Sequence, residues 1–106
     1  MKNRTEQLKQ NYDNLPALED LYVKVSSDYY NISDEFIESL RKVQIKKREL
    51  KELNLKTMAE FEREYELSEE YILIKSCKYQ LKGIEKLLQG IMVRIKSLQA
   101  QVRGQY

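Results

Sequence analysis

From Ile74 to Val102 the apolar residues never miss a heptad step. Ile74, Cys77, Leu81, Ile84, Leu88, Ile91, Ile95, Leu98 and Val102 follow spacings that alternate between three and four. A 3.5-residue repeat keeps one narrow stripe pointed at a partner helix along a helix pair. A second stripe has the same period and is made of small residues: Ser76, Gly83, Gly90, Ser97 and Gly104. Small side chains there would let another backbone come close. One helix cannot bury both stripes alone, so it must pack on other helices, its own or another chain's. The fold class expected is therefore all-α, with long amphipathic helices forming a helical hairpin or coiled-coil bundle completed by oligomerisation. The seam Ile74–Val102 is the candidate oligomerisation surface.

A chain of 106 residues holds one domain at most. Charged residues make up 34% of it and there is one Pro and three Gly, which suits long helices better than a compact mixed fold. The charge is arranged in blocks. Residues 1–40 hold four Lys/Arg against eight Asp/Glu, and 41–58 hold seven against two. Residues 59–70 hold one against six, and 71–106 hold seven against one. Alternating acidic and basic blocks favour specific pairing between segments or protomers.

Two parts are expected along the chain. Residues 1–32 read as a polar N-terminal arm without clear periodicity, followed by a short helix. Asn14 can cap that helix, Pro16 is tolerated in its first turn, and Leu18, Tyr22, Val25 and Tyr29 mark its face. Asn31 weakens helical continuity. Residues 33–106 read as a long helical hairpin with helices at about 33–65 and 69–103. Ser33 before Asp34 and Glu35, and Ser68 before Glu69 and Glu70, each put a capping hydroxyl ahead of acids in a first turn. Phe36, Leu40, Val43, Leu50, Met58, Phe61 and Tyr65 form the expected face of the first long helix. Lys47 and Asn54 interrupt that stripe; either they fix register, or the stripe drifts and Leu53 replaces Asn54. Folding at Leu67 would place basic residues 41–58 beside roughly 76–93, also basic, leaving the acidic stretch at the tip. One uninterrupted helix from 33 to 103 is the alternative.

Catalytic chemistry has little to work with. There is no His, the usual acid–base group and metal ligand. No Gly-rich phosphate loop or nucleophile motif occurs. Glu60, Glu62, Glu64, Glu66, Glu69 and Glu70 form a carboxylate cluster, but its spacing matches no calcium loop and fits a solvated acidic tip. Neither an enzyme nor a cofactor is expected. Cys77 is the only cysteine, which excludes an internal disulfide and fits a small buried residue on the seam. The first fourteen residues are polar, so no secretory signal is read there, and no apolar run approaches a membrane span. An intracellular protein is the expectation.

The basic positions are the other candidate surface. Lys75, Lys82, Lys96 and Arg103 lie one heptad apart, with Gln89 filling the gap and Lys78 and Lys86 nearby. Arg41, Lys42, Lys46, Lys47, Arg48, Lys51 and Lys56 add to them from the preceding helix. Multiplied around an oligomer, such a stripe would attract a phosphate backbone, and Tyr71, Tyr79 and Tyr106 offer faces on which unpaired bases can stack. The competing reading is an ordinary solvated face.

The segment "IEKLLQGIMVRIKSLQ", residues 84–99, resembles the C-terminal helix of phage UvsY-type recombination mediators. The likeness rests on Ile84-Glu85 followed by Leu88, Ile91 and Arg94 at three-residue steps. A basic segment before an aromatic–acidic connection, "RKVQIKKRELKELNLKTMAEFE", extends it to about half the chain. The aromatic that usually follows the Arg is replaced by Ile95 and Lys96, and the longer connecting segment of the family is absent. The resemblance implies single-stranded DNA contact by the basic stem, including Arg94 and Lys96, and a ring-like oligomer joined through the C-terminal helix.

Three readings follow. The first is a non-enzymatic helical assembly or adaptor protein, with a second copy or another helical protein as partner. The second is a single-stranded-nucleic-acid-binding accessory. The third is a helix lying on a membrane surface through Ile72, Met92 and Val93, against which the narrow regular seam argues.

Overall fold

The computed structural model describes residues 2–53, 55 and 57–104, and among these the fold is all-α. Four helices follow one another: α1 (Lys2–Gln10), α2 (Leu15–Glu52), α3 (Met58–Glu66) and α4 (Glu69–Gly104). The long helices α2 and α4 pack as an antiparallel helical hairpin.

The polar N-terminal arm is helical as α1, although Leu8 is its only large apolar residue. An isolated helix of nine residues is marginal in water, so tertiary contacts have to hold it. Arg4 Nε reaches Asp28 Oδ2 of α2 at 2.9 Å and supplies one. Asn11 ends the helix: its side-chain amide donates to the Gln7 carbonyl at 2.9 Å, and its backbone N–H donates to the same oxygen. Asn14 then caps α2 as expected. Its side-chain oxygen accepts from Ala17 N–H at 3.2 Å, and its carbonyl accepts from Leu18 N–H at 3.0 Å.

The helix break expected near Tyr30–Ile32 does not occur. α2 continues for 38 residues through Asn31 and Ser33. Asn and Ser inside a helix cost only tenths of a kcal/mol. Ending the helix would strip partners from a seam that carries on through half-buried Ile32 and Phe36 to buried Ser39, Val43 and Leu50. Ser39, not Leu40, takes the inward position; Leu40 and Met58, both expected on this face, are exposed. The drift that would have put Leu53 on the stripe does not occur. α2 ends at Glu52 with Leu53 exposed, Lys47 leans on a tyrosine, and Asn54 lies outside the described residues.

The helix expected to run from 33 to 65 is thus divided between α2 and α3. Thr57 starts α3 from an extended backbone (φ −138°, ψ 157°), and its hydroxyl accepts from Glu60 N–H at 3.1 Å. At the other end, Leu67 stays right-handed and its N–H bonds Arg63 O at 3.1 Å. Ser68 turns the chain into α4: its hydroxyl donates to Tyr65 O and accepts from Tyr71 N–H at 3.3 Å. α4 then runs over the residues expected of it, with Glu69 and Glu70 in its first turn and Arg103 in its last, each favourable to the helix dipole.

The chain divides into two units. The first comprises residues 1–30 and 82–106, so α1, the start of α2 and the end of α4. Its core is Leu18, Leu21 and Val25 of α2 with Ile84, Ile91, Ile95 and Leu98 of α4. Tyr29 OH donates to Glu85 at 3.3 Å across the pair. The second unit comprises residues 31–81: the end of α2, α3 and the start of α4. Val43 and Leu50 of α2 and Ile74 and Cys77 of α4 are its buried apolar residues.

Contacts within the second unit fix where the chain reverses. Ser39 Oγ lies 3.8 Å from Cys77 Sγ, and Lys47 Nζ sits 4.8 Å from the Tyr65 ring centre. Both pairs are centred between the end of α2 and the start of α3. The hairpin therefore reverses there and not at Leu67, where only a local break joins α3 to α4. A reversal at Leu67 would have set Ser39 beside Ile95. The observed register lays basic residues 41–52 alongside the acidic stretch around 64–70, so the expected pairing of two basic segments does not form.

Candidate interaction surface

The seam residues of α4 are occupied by the chain itself. Ile74, Cys77, Ile84, Ile91, Ile95 and Leu98 are buried, Leu81 and Leu88 are half-buried, and Val102 near the helix end is exposed. Cys77 is a free, buried thiol between the helices of the second unit. The seam is a core, and what α4 offers to solvent lies on its other faces.

The small-residue stripe is one of those faces. Ser76, Gly83, Gly90, Ser97 and Gly104 are all exposed, and a methyl group added at Gly90 or Gly104 would meet nothing within 4 Å. At these two positions none of the described helices packs closely.

Many of the basic side chains are engaged in the fold. Arg94 is the clearest case: its side chain is 14% exposed, and it locks the α1–α2 turn onto α4. Nε donates to Tyr12 O at 2.7 Å, a terminal nitrogen pairs with Asp13, and the guanidinium lies 4.1 Å from the Tyr12 ring centre. A planar guanidinium meets all three demands at once, which an ammonium cannot. Arg41 pairs with Glu38, and that contact holds the Glu38 carboxyl below its usual range and raises Arg41. Lys47 stacks on Tyr65, and Lys75 on Tyr71 at 4.9 Å. The hydrogen bond to Tyr71 raises the Lys75 pKa. Tyr71 in turn meets Tyr65 edge-on at 5.0 Å. Lys46 is half-buried beside the seam. Lys42, Arg48, Lys51, Lys78, Lys82, Lys86, Lys96 and Arg103 are exposed. Of the tyrosines considered for stacking, Tyr79 is exposed and Tyr71 is built into the fold. Tyr106, like Lys56, lies outside the described residues.

Exposed large apolar side chains are the stronger feature. In the first unit a groove of about 280 Å³ runs between α2 and α4, lined by Tyr22, Leu88, Gln89, Met92 and Val93. Val93 in its lining is 67% exposed. In the second unit Ile72 and Leu73 flank a groove with Glu69 and Ser76. Leu73 also closes another, formed by Asp34, Glu35, Glu38, Ser39 and Lys42. Along α2 itself, Val23, Tyr30, Ile37 and Leu40 are exposed. Sequence reasoning passed over this row, although its spacing of seven, seven and three is legible there. The buried face of the same helix draws attention first.

Among the described residues no group of three or more His, Cys, Asp or Glu is placed to hold a metal ion. No described helix is long and apolar enough to cross a membrane. Comparison with protein-family models, with curated proteins and with solved structures finds no match for this chain. Its function therefore has to be argued from these surfaces.

Proposed function

We propose that this chain is a non-enzymatic helical assembly protein that works by presenting apolar helix faces to another helix. The observation that carries this is the set of large apolar side chains left outside on helices whose inward seam is already filled. Among the described residues of α2 and α4 ten such side chains are exposed, including Val23, Tyr30, Ile37, Ile72, Tyr79 and Val93. Single exposed apolar residues are ordinary, but rows of them at helical spacing mark interaction surfaces. Sedimentation equilibrium from low to high micromolar concentration tests the reading. A discrete oligomer is expected; a chain that stays monomeric and takes up no helical partner overturns it.

The runner-up is a single-stranded-nucleic-acid-binding accessory of the recombination-mediator kind. The exposed row Lys78, Lys82 and Lys86, four residues apart on α4, favours it. The engagement of Arg94 in the α1–α2 turn counts against it, because the resemblance places DNA contact there. Reversing Lys78, Lys82 and Lys86 to Glu separates the two readings. Oligonucleotide binding that is strong at low salt and abolished by the reversals supports the accessory. Binding that is absent leaves the assembly reading.

A further inference from the structure

The outward residues of α2 carry a pattern that specifies a partner. Val23, Ser26, Tyr30, Ser33, Ile37 and Leu40 follow spacings of three and four, a second heptad on the same helix. Val23, Tyr30 and Ile37 are 65%, 69% and 64% exposed, and Ser26 and Ser33 are half-buried between them. At 100° per residue this stripe is distinct from the buried one through Leu18, Val25 and Val43. It also faces away from α1: Asp28, which binds Arg4, is two residues from both Ser26 and Tyr30 and so lies on the opposite side of α2.

Alone, the stripe alternates in size, because Ser26 and Ser33 are small while Tyr30, Ile37 and Leu40 are large. A parallel pair of identical helices would stack Ser on Ser and Tyr on Tyr, leaving voids beside crowded layers. Turned antiparallel about a point between Asn31 and Ile32, the same stripe fits itself. Val23 meets Leu40 of the second copy, Ser26 meets Ile37, and Tyr30 meets Ser33, so no layer places two bulky or two small residues together except the aliphatic Val23–Leu40. The flanking charges agree. In this alignment Asp20 and Arg41 of the second copy stand on the same flank of the seam, two residues off direct opposition and within reach of long side chains, twice by symmetry. Both side chains are exposed, 65% and 68%, and each holds only a neighbour on its own helix, Lys24 and Glu38.

From this double complementarity, of size and of charge, we infer that α2 forms an antiparallel two-fold dimer with a second copy of this chain through Val23, Ser26, Tyr30, Ser33, Ile37 and Leu40. Such an interface is isologous, with one patch serving both subunits. The inference rests on the assembly reading and names its partner and face.

The test is sedimentation equilibrium of the full chain and three variants, with far-UV circular dichroism confirming that each keeps its helices. Ile37→Lys puts a charge into both symmetry-related layers and is expected to weaken self-association at least ~10-fold. Asp20→Arg sets like charges against each other and is expected to weaken it ~3–10-fold; adding Arg41→Asp restores it. That rescue needs positions 20 and 41 to lie within reach of each other across an antiparallel pair. An oligomer indifferent to Ile37→Lys and to both charge variants overturns the inference while leaving the assembly reading standing. A wild-type chain that is monomeric throughout overturns the inference and removes self-assembly from that reading as well.

Discussion

Arg94 shows how one side chain can hold a chain terminus in place. α1 has little apolar surface of its own, and the turn at Tyr12–Asn14 carries its attachment to α4. The ion pair with Asp13 contributes little, since that carboxylate is 88% exposed. The bond to the Tyr12 carbonyl and the stacking on its ring contribute more. Arg94→Ala is expected to lower stability by about 2 kcal/mol, with Arg94→Lys recovering less than half. Urea denaturation measures this, and equal behaviour of the two variants would refute the stacking argument. Tyr65 is a second informative position. Partial burial, and then Tyr71, push its pKa above 10.0, so the fold prefers the neutral phenol. Lys75 is raised above 10.5 by Tyr71. Both groups have folded values above their unfolded ones, so each contributes stability that is complete below about pH 10 and is lost as pH rises through the folded value. Melting temperature should therefore fall above pH 10, and Tyr65→Phe should make that fall shallower. A flat profile from pH 9 to pH 11 would contradict the assignment.

At the scale of elements, the decisive fact is where the hairpin turns. The pairing of Ser39 with Cys77 offers a direct check. Ser39→Cys places two thiols side by side in the core of the second unit, and mild oxidation is expected to join them within one chain. The closed loop should add about 2–4 kcal/mol of stability. Disulfide-linked dimers with no intramolecular product would mean that the register is wrong. Much of this architecture can be read from the residues. The heptad from Ile74 to Val102 and the start at Ser68 define α4 nearly to its ends, and Asn14 marks the start of α2. The turn is harder to see, because Ser33-Asp34-Glu35 looks like a helix start and stands inside α2. A cap signal is worth about 1 kcal/mol, and a continuous seam outweighs it. The true break has a signal of its own, Thr57 three residues before Glu60, the pattern of a capping box. It sits among Leu53, Leu55 and Met58, which read as a continuing stripe. The second α2 heptad is legible too, but only the structure separates an exposed stripe from a buried one.

For the molecule as a whole, the register changes the meaning of the charge blocks. In the second unit, residues 41–52 carry six Lys/Arg against two Glu, and they run antiparallel to 60–70, with six Glu against one Arg. In the first unit the stretch 13–28 has four acids against Lys24, and it faces α4 residues 82–103, with five Lys/Arg against Glu85. Each acidic block thus lies beside a basic one within a single chain, and the alternation along the sequence describes how the chain folds on itself before it describes a partner. The sign of this effect is measurable. Had the chain reversed at Leu67, two basic stretches would lie together, and added salt would relieve their repulsion and raise the melting temperature. With opposite blocks paired, salt screens an attraction, over a length that shrinks from about 10 Å at 0.1 M to 3 Å at 1 M. The contributions are individually small, about 0–1 kcal/mol per exposed pair. Together they should cost roughly 1 kcal/mol, a fall in melting temperature of about 4–8 °C between low and 1 M sodium chloride. The same screening weakens the Asp20–Arg41 contacts of a dimer, so the scan is best read on Ile37→Lys at low concentration, where the weakened dimer is dissociated. A fall in that variant reports the hairpin's own charge pairing, whereas a rise would place like charges side by side and overturn the register on which the rest of the architecture depends.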